Sequence, residues 1–187
     1  ENYKLLRKYS FYFIPLVNPD GYMIALRGFD EIREEPLRST ALNKKIPYFN
    51  WKYNARGIDI NRNFPSFYWK QKSETDYPAS ENETKALIHI FETIPSIGYI
   101  DYHSRGKAIY YHRGIMGEGY NNRQKVIAER LADELGYDLM PKEEEIDMGD
   151  TGGNTVHFYS ESIGKPAITI ETTEETEEFP LKISLQE

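Results

Sequence analysis

The 187-residue chain contains no cysteine. That absence excludes disulfides, thiolate metal sites and a cysteine nucleophile, and it leaves the compartment open. Any metal must be held by histidine and carboxylates, and there are only 4 histidines. Positive charge is in the minority, with 23 Lys and Arg against 30 Asp and Glu and a formal net charge of −7. A nucleic-acid partner needs clustered Lys and Arg to displace counterions, so none is expected. Also missing is any apolar run long enough to cross a bilayer. No secretory signal precedes Glu1, which would hold equally for a mature or trimmed chain. What is present is the size of one domain, enough to bury a real core. Tyrosine is frequent, at 15 residues, which suits a polar-rimmed cleft without identifying one.

The apolar and aromatic run FYFIPLV (11–17) reads as a buried strand ended by a turn at Asn18-Pro19-Asp20-Gly21. From there to about residue 79 no clean period emerges, and so long an irregular region is functional or disordered in most domains. Ser80-Glu81-Asn82-Glu83 reads as a capping box opening a helix whose apolar face is Leu87, Ile90, Phe91 and Ile94, with Pro95 as its stop. IGYIDYH (97–103) and KAIYYH (107–112) read as strands. A helix is predicted over 121–135, with Ile127, Leu131 and Leu135 on its apolar side and Gly136 at its end. A short helix is predicted after Thr151-Gly152-Gly153, and PAITIE (166–171) closes the pattern as a buried strand. There is no internal repeat, and the Glu171–Glu178 stretch reads as a solvated loop. Strands separated by helices imply an α/β fold: a mixed, mostly parallel sheet with helices on both faces.

Four segments carry chemistry: NPDGY (18–22), WKYNARGIDINRNFP (51–65), IDYHSRG (100–106) and ITIE (168–171). Each alone has a plain reading. An Asn-Arg pair braces loops, a strand-end Glu faces water, and a His closing an apolar run is more often a core residue than a ligand. In this order and over almost the whole chain they resemble the zinc carboxypeptidase family, the carboxypeptidase A-like peptidases. The resemblance implies that His103 is a zinc ligand and that Asn61 and Arg62 grip the substrate's terminal carboxylate. A planar guanidinium fork fits a carboxylate bidentately, and an amide adds a donor. It further implies that Glu171 moves the proton from the attacking water to the leaving amine. Asp59 matches a carboxylate that orients a metal-bound histidine. Lys52 stands where digestive members have the arginine that stabilises the oxyanion. The cofactor implied is zinc, one per complete domain, which polarises the carbonyl and acidifies its water.

Other positions depart from the digestive pattern. Met148 replaces a mobile active-site tyrosine, and Arg105 replaces another tyrosine two residues past His103. The wording WKYNARGIDINRNFP and YHSRGKAIYY is more similar to the bacterial branch that cleaves γ-D-glutamyl–diaminopimelate bonds in cell-wall peptides. On that reading the substrate is a cell-wall peptide, an extracytoplasmic or secreted bacterial location is favoured, and Asp150 is expected to meet the diaminopimelate amino group.

The family's other two zinc ligands come from an H-x-x-E motif upstream of NPDG, and no such motif lies there. His89-Ile90-Phe91-Glu92 has the spacing, but it follows NRNF and falls on a helix, so it is read as a decoy. His112 and His157 are read as core or surface residues. The expectation is therefore that residues 1–187 are the C-terminal portion of one zinc carboxypeptidase-like catalytic domain, with a single zinc ligand. An exposed sheet edge would then favour self-association or pairing with a complementing N-terminal segment. Two alternatives stand beside the peptidase: a non-catalytic carboxylate-binding remnant, and an aspartoacylase-type zinc deacylase.

Overall fold

The computed structural model describes residue 4, residues 6–145 and residues 152–174. Met148, Asp150 and the end of the Glu171–Glu178 stretch lie outside the described residues. The sheet has four strands: β1 (Tyr99–Ser104), β2 (Ala108–Tyr110), β3 (Asp138–Leu139) and β4 (Ala167–Thr172), in the order β1-β4-β2-β3. β1 runs parallel to β4 and β2 to β3, while β2 and β4 are antiparallel. The five principal helices among the described residues are α1 (Pro19–Arg27), α2 (Glu35–Asn43), α3 (Asn82–Thr93), α4 (Glu118–Leu135) and α5 (Thr155–Ile163). None of them is long and apolar enough to cross a membrane.

Alternation along the strands divides the core. Ile168 and Ile170 of β4 join Ile109, Tyr111 and Ala128 under α4. Ala167 points the other way, into a cluster with Leu87 and Phe91 of α3, Val156, Phe158 and Tyr159 of α5, and Phe64. Helices thus cover both faces of β4. A smaller cluster of Ile24, Ile32, Ala41 and Trp51 holds the segment before residue 60 together.

Several local expectations need correction. Residues 11–17 form no strand; they run irregularly, with Phe13 83% exposed. A strand needs a neighbour for its N–H and C=O groups, and among the described residues no other strand pairs with this segment. NPDG opens α1 instead of a turn, because Pro19 suits the first helical turn and the Asn18 side chain accepts from the Gly21 N–H at 2.9 Å. The stretch to residue 79 accordingly contains two helices and a set of 3₁₀ turns.

The capping box does not form. Glu81 is the N-cap of α3, and its buried carboxylate accepts Asn54 Nδ2 at 2.7 Å and the Ser80 hydroxyl at 2.7 Å, with Arg56 Nε at 3.3 Å. These bonds tie the 51–65 motif to α3. On α4 the buried residues are Tyr120, Gln124 and Ala128, whereas Ile127 and Leu135 are exposed. Gln124 displaces the expected apolar pattern because it bridges the sheet. Its amide donates to the carbonyls of Tyr111 and Ala167 and accepts the Ala167 N–H.

Candidate active site

The parallel register sets His103 opposite Glu171. Alternation therefore turns Tyr99, Asp101 and His103 of β1 to the same face as Thr169 and Glu171 of β4. Both strands finish there, and crevices beyond the carboxyl ends of strands are where open α/β sheets bind ligands. A cleft of about 460 Å³ occupies this position, and its walls include His103, Glu171, Asn61, Arg62 and Lys52.

Asn61 and Arg62 arrive on a 3₁₀ turn, Ile60–Arg62, capped by Asp59 Oδ1 accepting the Asn61 N–H at 3.1 Å. The turn is held against the start of α5. Asn61 Oδ1 accepts the Thr155 N–H at 2.9 Å and the Thr155 hydroxyl at 2.8 Å, which satisfies a backbone donor at the α5 N-terminus. With its oxygen so committed, the Asn61 amide nitrogen lies 3.5 Å from His103 Nε2. Gly152 and Gly153 make the approach feasible. Both have positive φ, and a Cβ on Gly153 would sit 2.6 Å from the Arg62 carbonyl oxygen. Arg62 donates to the Asn61 carbonyl at 2.9 Å.

His103 Nε2 lies 3.0 Å from Asp101 Oδ2. Burial draws the His103 pKa down, but Asp101, Glu171 and Asp59 outweigh it and raise it overall. Glu171 is pushed up by burial and by Asp101, against the pull of His103. Its Oε2 is buried with no hydrogen-bond partner among the described residues. A half-buried carboxylate with one unengaged oxygen and a raised pKa is suited to accepting and returning a proton. Lys52 Nζ pairs with Asp59 Oδ2 at 2.8 Å on the cleft wall.

Five of the predicted site residues, His103, Glu171, Asn61, Arg62 and Lys52, thus share one cleft, and Asp59 lines it as well. Asp59 contacts Lys52 and its own turn; the carboxylate beside the His103 ring is Asp101. Asp101 is not among the residues that the sequence motifs single out, although the spacing D-x-H on a strand already puts both side chains on one face. Arg105 is exposed past the end of β1 and does not line the cleft. His89 and Glu92 are exposed on α3, away from it. His112 and His157 face Glu145 at the cleft's other end, and His157 is buried there, as a core residue would be.

Among the described residues no group of three His, Asp or Glu is placed to hold a metal ion. The described residues around His103 therefore do not make up the three-ligand set of a catalytic zinc.

The family model described as zinc carboxypeptidase matches residues 1–184. Over 128 residues, 62% of the chain, it is 31% identical to an uncharacterized protein, YqgT, of Bacillus subtilis, covering 34% of that protein. It is 21% identical to the gamma-D-glutamyl-L-diamino acid endopeptidase 1 of Lysinibacillus sphaericus, over 90% of the chain and 43% of the endopeptidase. Rat carboxypeptidase B2 is 33% identical over 58% of the chain and 26% of its own length. The chain thus spans less than half the length of each of these relatives.

Proposed function

The chain belongs to the zinc carboxypeptidase family, and from that premise we propose that it supplies the carboxylate-gripping and proton-transferring part of a peptidase site. The observation that supports this most is the convergence of Asn61, Arg62, His103 and Glu171 on one cleft at the ends of β1 and β4. Arg62 receives the free carboxylate of a peptide, and the Asn61 amide nitrogen adds a donor. Glu171 takes a proton from the water that attacks the scissile carbonyl and delivers it to the departing amine, ending the cycle ionised as it began. Lys52 places a positive charge where the oxyanion develops. His103, braced between Asp101 and Asn61, is this chain's contribution to the family's zinc.

The substrate class follows the endopeptidase relative, which acts on a γ-D-glutamyl bond to a diamino acid. A cell-wall peptide, met outside the cytoplasm, is the substrate proposed here. A carboxylate-binding remnant is the second reading, favoured by the incomplete metal set. The full-length polypeptide, supplied with zinc, separates the two. Offered an N-blocked dipeptide and the same peptide amidated at its C-terminus, it is expected to cleave only the free acid. Equal cleavage of both would remove the carboxylate grip, and binding of the acid without cleavage would establish the remnant.

A further inference from the structure

A carboxamide presents an oxygen at one corner and an NH2 at the other in nearly the same shape, so its hydrogen bonds alone decide which corner meets a ligand. For Asn61 the choice falls to Thr155, in the first turn of α5. The Thr155 N–H donates to Asn61 Oδ1 at 2.9 Å, and the Thr155 hydroxyl lies 2.8 Å from the same oxygen. A backbone N–H can only donate, so the oxygen and not the nitrogen lies against α5, and the hydroxyl donates to it too. Thr155 is 4% exposed, which shields both bonds from solvent. Asn154, the N-cap of α5, makes no side-chain cap bond, so Asn61 caps the helix from another element.

The other corner of the amide is thereby turned to the cleft, whose walls include Asn61, Arg62 and Thr155. Asn61 Nδ2 lies 3.5 Å from His103 Nε2, but that ring nitrogen has Asp101 Oδ2 nearer, at 3.0 Å. The Asn61 N–H groups are left for a ligand. Arg62 beside them is a donor as well. A carboxylate accepts from both side chains in either orientation. A primary amide cannot: its NH2 meets either Arg62 or Asn61, and only a turned Asn61 would offer it an acceptor. The two bonds from Thr155 oppose that turn.

We infer that Thr155 is a positioning residue that sets specificity: it holds Asn61 with its donors outward, and the cleft thereby excludes peptides that end in an uncharged amide. Discrimination of this kind comes from a mismatch built against the wrong ligand as much as from attraction to the right one. This role deepens the proposed function and rests on its carboxylate grip.

Calorimetric binding to the full-length polypeptide tests it, with N-acetyl-leucine and N-acetyl-leucinamide as probes. The wild type is expected to bind the acid at least about tenfold more tightly. Thr155→Val keeps the shape and the N–H but removes the hydroxyl. It is expected to cut the acid-to-amide ratio by about three- to tenfold, the share of one hydrogen bond. A purely structural loss weakens both probes alike and leaves that ratio unmoved. Thr155→Ser restores the hydroxyl and is expected to return the ratio to within about twofold of wild type. Thr155→Ala, also without the hydroxyl, serves if the Val variant fails to fold. A ratio that the Val or Ala variant leaves unchanged, or that Ser does not restore, overturns the inference. If Arg62→Ala then still loses the acid, the carboxylate grip stands alone. Equal binding of the two probes by the wild type, or binding of neither, overturns both readings.

Discussion

Arg62 and Glu171 come to the cleft on different elements, one on a capped 3₁₀ turn and the other near the end of β4. Their tasks should separate kinetically. Arg62→Ala is expected to raise KM for a free-carboxylate peptide about 10- to 100-fold, since the carboxylate grip proposed for Arg62 is a charge-assisted contact made before the reaction begins. Steady-state kinetics check this, and an unchanged KM would place the substrate carboxylate elsewhere. Much at this scale was legible in the sequence, because NRNF and the strand-end His and Glu are local patterns. Asp101 was legible in principle through its alternation with His103. Glu145 was not: it sits in an exposed-looking Lys-Glu-Glu-Glu run, and its partners are 12 and 33 residues distant in sequence or across the sheet.

Between elements, the contact that aligns the site is the docking of the α5 N-terminus on the Asn61-Arg62 turn. The Phe64 N–H donates to the Gly153 carbonyl at 3.0 Å, and the Gly153 N–H donates to Ser66 Oγ at 3.1 Å. Gly153→Ala puts a Cβ at positive φ and against the Arg62 carbonyl. It is expected to lower stability by about 1–3 kcal/mol, read from urea unfolding, and to raise KM as Arg62 shifts. A variant as stable as wild type would show that the Gly153–Arg62 approach has room for a methyl group.

The Glu145 cluster joins the turn after β3 to β2 and α5. Burial raises the Glu145 pKa, but contacts with His157, the Gly114 N–H and His112 outweigh it and leave it below the ordinary 4.5. A depressed carboxylate contributes stability that is fully present above pH about 4.5 and is lost as pH falls through the lower folded value. Among the described residues, Arg113, Tyr68 and Glu161 also interact with it electrostatically. Glu145→Gln is therefore expected to lose less stability than wild type between pH 4.5 and acid, by thermal unfolding across pH. Parallel curves would remove the contribution.

Element types were read well where a period or a cap signalled them, as for α4, α5, β1 and β4. FYFIPLV was misread because composition gives strand propensity but not a strand partner. The NPDG segment was misread because turn chemistry and helix-start chemistry share Asn, Pro and Asp.

For the molecule as a whole, the sheet ends on β1, whose second edge pairs with no strand among the described residues. Its outer face shows Ile100 and Tyr102, the latter 67% exposed, and Phe11, Tyr12 and Phe13 are exposed as well. Open edges and exposed apolar residues favour association. The 187-residue chain is expected to self-associate, with a weight-average mass by light scattering that rises with concentration. A constant monomer mass over a wide range would show that this surface is inert. The α/β class, a cleft at the strand ends and an open sheet edge were legible from motif order, whereas which strand carries that edge was not.

The central claim is that Glu171 moves the proton in peptide hydrolysis within this cleft. The most direct measurement compares kcat and KM of the full-length polypeptide with its Glu171→Gln variant on an N-blocked dipeptide, with zinc supplied to both. In the variant kcat is expected to fall by about 10²-fold or more while KM stays within about twofold. A Gln variant that keeps its kcat, or that loses only affinity, would contradict it.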